Sequence, residues 1–266
     1  MSYITANGLQ IWVERKGEGE PLLFISGSGS DLRNKPGPLD GPLARQFDMV
    51  AYDQRGLGQT DKPDGPYSMA DYADDAGGLL DELDWATANV VGVSFGGMVA
   101  QELAVRYPDR IRKLVLCCTS PGGEGGASYP LHTLSGMDPE AEARQMIPIS
   151  DTRHDAAWQA ANPDAFAAML AFRLNSPWAD EPRRAMGAEL QLLARRDHDV
   201  WDRLPSITAP TLICGGRYDG IALPETQTRL AGRIPDAQLR MFDGGHMFLI
   251  QDRAAFPAIT DFLQAP

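Results

Sequence analysis

Along its first residues the chain alternates between inward and outward positions. Leu9, Ile11 and Val13 alternate with Gln10, Trp12 and Glu14, the period of a half-buried strand. Ile4 and Thr5 run into Asn7-Gly8, a two-residue turn signal, so the opening reads as a hairpin. From Pro21 the pattern changes to short apolar runs without alternation, at 22–25, 49–52, 90–93, 111–117, 212–214 and 239–242. Such runs suit strands buried on both faces, as in a parallel sheet. Helical periodicity lies between several of them. In 68–83 the apolar residues are Met69, Tyr72, Ala76, Leu79, Leu80 and Leu83, and Ser68 with Asp71 forms a capping-box pattern. A second helix covers 98–107 and stops at Pro108, and a third starts at Pro224. Strands alternating with helices predict right-handed crossovers and a mostly parallel central sheet with helices on both faces.

The middle of the chain breaks this grammar. Residues 121–126, Pro-Gly-Gly-Glu-Gly-Gly, read as an exit from the sheet. Helical stretches follow: Asn162-Pro163 predicts an N-cap and first turn for a helix over 164–174, and 180–196 is a longer amphipathic segment. Strand grammar returns at Ala209-Pro210-Thr211. The expectation is an α/β core of residues 1–121 and 205–266 with an inserted helical cap over 122–204. The sequence shows no internal repeat.

The chemistry sits where strands end. Gly92-Val93-Ser94-Phe95-Gly96-Gly97 follows an apolar run and precedes a helix. G-x-S-x-G alone recurs by chance, and a plain glycine-rich strand–helix turn has the same letters; the context gives it weight. A sharp turn there presents the Ser94 hydroxyl at the carboxyl edge of the sheet, above a helix amino terminus that favours negative charge. A serine hydroxyl needs a base. Of the four histidines, His132, His154 and His198 fall on polar stretches of the cap and read as solvated. His246, in Asp243-Gly244-Gly245-His246, follows the last apolar run and is positioned as the general base. Asp219, just past the run at 212–214, is the candidate for orienting the imidazole; alone it reads equally well as a turn aspartate. The order Ser94, Asp219, His246 is the one a G-x-S-x-G sheet enzyme requires. Acyl transfer also needs oxyanion donors: the Phe95 amide, and an amide from Ser26-Gly27-Ser28-Gly29-Ser30, for which Ser28 is the choice.

Composition narrows the partners. The chain has 266 residues, 43% of them hydrophobic, enough for one substantial core. The formal net charge of −12 argues against nucleic acid and against an anionic membrane surface as partners. Three cysteines, two of them adjacent, suggest no disulfide framework, and no Cys/His cluster has metal-ligand spacing. With no basic and apolar leader pattern, the expected setting is a reducing cytoplasm, and the expected partner a small-molecule substrate, with no cofactor and no metal.

Together Ser26–Gly29, Asp53-Gln54-Arg55-Gly56-Leu57-Gly58-Gln59-Thr60, Gly92–Gly97, Gly216-Arg217-Tyr218-Asp219 and Gly245-His246 resemble the α/β-hydrolase superfamily over nearly the whole chain. Among its members the resemblance is to capped serine esterases and lactonases similar to 3-oxoadipate enol-lactonase. Carbon–carbon bond hydrolases and cofactor-free perhydrolases are also near. The resemblance implies the α/β-hydrolase fold and hydrolysis of a small-molecule ester or lactone. Two positions depart from it: Ser26-Gly27 stands where many relatives have His-Gly, and Thr60 where serine is common. Ser94 argues against the aspartate-nucleophile dehalogenases and epoxide hydrolases. A hydrolase fold used as a ligand-binding receptor is the alternative from another class. In the cap, Trp158, Phe166, Met169, Phe172 and Trp178 are available to line a pocket or simply to pack. Arg144, Arg153 and Arg173 are available for a substrate carboxylate, or as solvated charges.

Overall fold

Asn7 and Gly8 take positive φ angles of 47° and 75°. That turn closes β1 (Ser2–Ala6) onto β2 (Leu9–Lys16) as the antiparallel hairpin expected. Six strands follow: β3 (Pro21–Ile25), β4 (Asp48–Tyr52), β5 (Ala88–Val93), β6 (Ile111–Cys117), β7 (Thr211–Gly216) and β8 (Gln238–Phe242). The computed structural model describes all 266 residues. Its eight strands form one sheet in the order β1-β2-β4-β3-β5-β6-β7-β8. β2 meets β4 antiparallel, and every pairing from β4 to β8 is parallel.

Alternate residues of each central strand enter different layers. Leu23 and Ile25 of β3 face one cluster, which also takes Val90, Leu114 and Ile213; Leu22 and Phe24 face a second, with Val91, Val115 and Leu212. The first layer is closed by α1 (Met69–Glu82) and α2 (Phe95–Arg106). Such two-sided burial is why these strands read as continuous apolar runs. Each fully buried leucine contributes about 2 kcal/mol. Helix α1 starts at the predicted capping box: Ser68 Oγ accepts from the Asp71 amide at 3.2 Å, and Asp71 accepts from the Ser68 amide at 2.8 Å.

Between β6 and β7 there is no strand, only α3 (Pro139–Ser150), α4 (Ala156–Ala161), α5 (Pro163–Leu174), α6 (Arg184–Arg196) and short helical turns. Two local expectations change here. Asn162 does not cap α5 with its side chain; its amide donates to the Trp158 carbonyl at 2.9 Å and closes α4 instead. The 180–196 segment becomes helical only at Arg184, after Pro182 and a left-handed Arg183. The chain then completes the sheet with α7 (Pro224–Arg233), the short α8 (Phe248–Gln251) and α9 (Ala255–Gln264). Residues from α8 and α9 close the second layer.

Chain direction reverses between β3 and β5: the chain steps from β3 outward to β4, then returns to β5 and runs the other way to β8. The carboxyl ends of β3 and β5 therefore flank a crevice at a topological switch point, the place where open α/β sheets bind ligands.

Candidate active site

Ser94 sits in that crevice with φ 55° and ψ −115°, a conformation that side-chain-bearing residues rarely hold. Two glycines permit it. A Cβ on Gly92 would lie 2.4 Å from the Gly96 carbonyl oxygen, and one on Gly96 would lie 2.0 Å from the Ile25 carbonyl oxygen. The turn is thus pressed against the end of β3, and α2 begins at the next residue.

His246 reaches the serine from the loop after β8. Its Nε2 lies 2.9 Å from Ser94 Oγ, and its Nδ1 lies 2.9 and 3.1 Å from the two carboxylate oxygens of Asp219. Asp219 is buried, and its Oδ1 also accepts from the amides of Ile221 and Ala222 at 2.8 and 3.0 Å. Those bonds fix the carboxylate so that it can hold one tautomer of the imidazole, leaving Nε2 free to take the serine proton. Cys118 Sγ completes a cluster with Asp219 and His246, within 4.8 Å of one another. The histidine and carboxylate already bond each other, and burial pushes the Cys118 thiol well up, so this set is poorly suited to hold a metal ion.

The loop after β3 lies directly over the serine: a Cβ on Gly27 would stand 3.4 Å from Ser94 Cβ. Phe95 is the first residue of α2, so its N–H has no acceptor within the helix. The Ser28 amide also donates to no group of the protein. One unengaged N–H thus belongs to the residue after Ser94, at the helix amino terminus, and another to Ser28, which lines the same cavity as Ser94. The loop is held by the 53–60 turn. Gln54 donates to the Ser26 carbonyl at 2.8 Å, and the Asp53 carboxylate accepts from the amides of Leu32 and Gln59 at 2.8 and 2.9 Å. Burial raises the Asp53 carboxyl to about 6, against those two bonds. Thr60 Oγ1 donates to the Asp53 carbonyl at 2.6 Å and closes the turn on itself.

Ser94 and His246 open into a cavity of about 800 Å³ between the sheet edge and the β6–β7 insert. Ser28, Leu131, Met146, Met169 and Leu192 are among its walls. Of the aromatic residues expected there, Phe172 lines it, but Trp158, Phe166 and Trp178 do not. Trp158 packs against His154 with tilted rings 4.3 Å apart, Phe166 lies under Arg144, and Trp178 lies under Arg33 at 4.0 Å. Their aromatic faces are taken by local partners. Among the arginines, Arg173 lines the cavity, whereas Arg144 pairs with Glu140, and Arg153 with Asp151 and Asp243. His132, His154 and His198 all differ from the solvated reading, His132 being half-buried. His154 is on the cavity wall, and His198 is buried.

A model of the alpha/beta hydrolase fold matches residues 20–253. The chain belongs to the α/β-hydrolase fold family. It is 32% identical, over 92% of its length and 84% of the relative's, to a poly(3-hydroxyalkanoate) depolymerase of Ectopseudomonas oleovorans. It is also 32% identical to a 2-hydroxymuconate semialdehyde hydrolase of Pseudomonas putida, over 97% of this chain and 92% of that one. The enol-lactonase from Burkholderia xenovorans LB400 superposes with a TM-score of 0.81 at 27% identity, covering 99% of this chain and all of that one. No helix of this α/β-hydrolase is long and apolar enough to cross a membrane.

Several residues that build the site escaped the sequence reading. The Ser150 carbonyl, at the end of α3, accepts from the His246 amide at 2.6 Å. Gln251 bridges the Gly245 amide and Asp151, at 2.8 and 3.0 Å. Gln191 on α6 accepts from the Gly29 amide at 2.9 Å. Each joins positions far apart in the chain, and only the Gly245 pattern hinted at one: a Cβ there would meet the Ser150 carbonyl oxygen at 2.3 Å.

Proposed function

We propose that this α/β-hydrolase cleaves a small-molecule ester or lactone through an acyl-enzyme on Ser94. The observation that carries this reading is the continuous hydrogen-bonded chain Asp219–His246–Ser94 on the wall of a mainly apolar cavity. His246 takes the Ser94 proton as Oγ attacks the carbonyl carbon. The Phe95 and Ser28 amides receive the oxyanion, and Asp219 stabilises the imidazolium. The imidazolium returns its proton to the leaving alkoxide. The same histidine then activates water, which releases the acid and restores Ser94. Residues 122–204 act as the cap that excludes bulk water from this chemistry, and Met169, Phe172 and Arg173 contact the substrate. The enol-lactonase and depolymerase likenesses support an acyl bond as the target.

The likeness to 2-hydroxymuconate semialdehyde hydrolases favours a second reading with the same residues: hydrolytic cleavage of a carbon–carbon bond in a vinylogous diketone. Parallel assays on ester, lactone and diketone panels separate the two. A fluorophosphonate probe, with mass mapping of the adduct, tests the part they share. Labelling of Ser94, lost in Ser94→Ala together with p-nitrophenyl acetate turnover, is the expected result; a labelled wild type without Ser94 modified overturns the assignment.

A further inference from the structure

Against Met98 of α2, a partly open pocket of about 70 Å³ lies where the two limbs of the β6–β7 insert meet. Ser120 and His132 line it from the incoming limb, Arg195 and His198 from the outgoing one. Arg195 is 5% exposed and His198 6%. Arg195 Nη1 donates to the Tyr129 carbonyl at 2.7 Å, but its Nε and Nη2 have no partner. Both ring nitrogens of His198, Nδ1 of His132 and Oγ of Ser120 are also buried and unpartnered. These orphaned polar atoms belong to four residues that line one small space, and they call for an occupant, because a buried donor left unsatisfied costs more than a typical hydrogen bond gains.

Charge selects the occupant. A buried guanidinium needs a counter-charge, and the nearby carboxylates are committed elsewhere. Glu102 holds Arg203 with two bonds, Asp197 holds Arg196, and Asp199 caps the Trp201 amide. Burial alone acts on the Arg195 guanidinium, lowering it to about 10. The end of α6 supplies a partial negative charge of only about half a unit. Water would satisfy the hydrogen bonds and leave the charge unpaired. A water molecule takes about 30 Å³ of liquid volume; a halide is little larger, and accepts from donors on every side. We propose that this cavity is a binding site for a small monovalent anion of the chloride type, held by Arg195 with the Ser120 hydroxyl and the His198 and His132 rings. The anion joins the incoming and outgoing limbs of the insert, so its loss loosens the segment over the active site.

The test uses the whole wild-type protein and Arg195→Met. Melting is followed in sodium chloride and in sodium methanesulfonate at equal ionic strength, the second anion being bulkier than a halide and carrying a methyl group that accepts no hydrogen bond. A saturable chloride-specific rise in Tm of about 5 °C is expected for the wild type, and none for the variant. Crystals of the wild type grown from sodium bromide should show an anomalous peak against Arg195 Nε and Nη2. The crystal result stands by itself if Arg195→Met does not fold. A bromide-grown crystal without that peak overturns the proposal, as does a chloride-specific rise of equal size in the variant.

Discussion

Gln191 and Gly29 are 162 residues apart in sequence, yet the Gln191 side chain accepts a hydrogen bond from the Gly29 amide at 2.9 Å. The bond ties α6 of the insert to the residue after Ser28. Gln191 is 1% exposed and lines the cavity, and its Nε2 has no partner. Its removal leaves the Gly29 amide unpaired and frees the loop that supplies the Ser28 N–H. Gln191→Leu is therefore expected to lower kcat on p-nitrophenyl acetate about tenfold, the effect of about 1.4 kcal/mol. A change confined to KM would show that Gln191 only contacts substrate and does not position the loop.

Asp219 makes four hydrogen bonds, two to His246 and two to backbone amides. Asp219→Asn keeps the size and can keep the backbone bonds, but its NH2 group cannot accept the Nδ1 proton. The imidazole is then held in the wrong tautomer. We expect kcat to fall by about 10⁴ with little change in Tm. Steady-state kinetics beside thermal unfolding measures both, and a loss of activity in proportion to a loss of folded protein would contradict the orienting role.

The core was legible because its strands are buried on both faces, so apolar runs such as 22–25 and 90–93 stand out without tertiary knowledge. Ser94 was legible because the close approaches at Gly92 and Gly96 demand glycine. The insert was less so. Helix α5 is apolar on most sides but contains no fully buried residue, so periodicity could not show that Met169 and Phe172 face the cavity while Phe166 does not. His198 read as solvated because Asp197 and Asp199 flank it. Packing of the incoming limb reverses that: a Cβ on Gly122 would lie 2.0 Å from the His198 carbonyl oxygen.

Gly96 offers a stability test independent of activity. Its missing Cβ would stand 2.0 Å from the Ile25 carbonyl oxygen and 2.5 Å from the Ser26 carbonyl oxygen. Both are backbone atoms at the end of β3 and cannot swing aside as a side chain would. Gly96→Ala must push α2 from the sheet, at a cost of about 3 kcal/mol or more. Urea unfolding should show the midpoint falling with the slope unchanged. Gly232→Ala is the control, because nothing lies within 4 Å of a Cβ there. Equal midpoints for the two variants would mean that the β3–α2 contact yields easily.

Burial lowers His198 from its ordinary value of 6.5 to about 4. Between those pH values the unfolded chain binds a proton that the folded chain refuses. Stability therefore falls as pH drops from about 6.5 to about 4, by about 3 kcal/mol from this group. Asp53 works in the opposite direction. Burial raises its folded value to about 6, so the folded chain takes up a proton first and gains stability as pH falls. The two contributions overlap in the wild type, and the difference between wild type and His198→Asn isolates the histidine. In chloride-free buffer, urea unfolding at pH 7 and pH 4 should show the variant gaining about 3 kcal/mol on the wild type at the lower pH. A difference that stays constant across that range would place the His198 ring in contact with water.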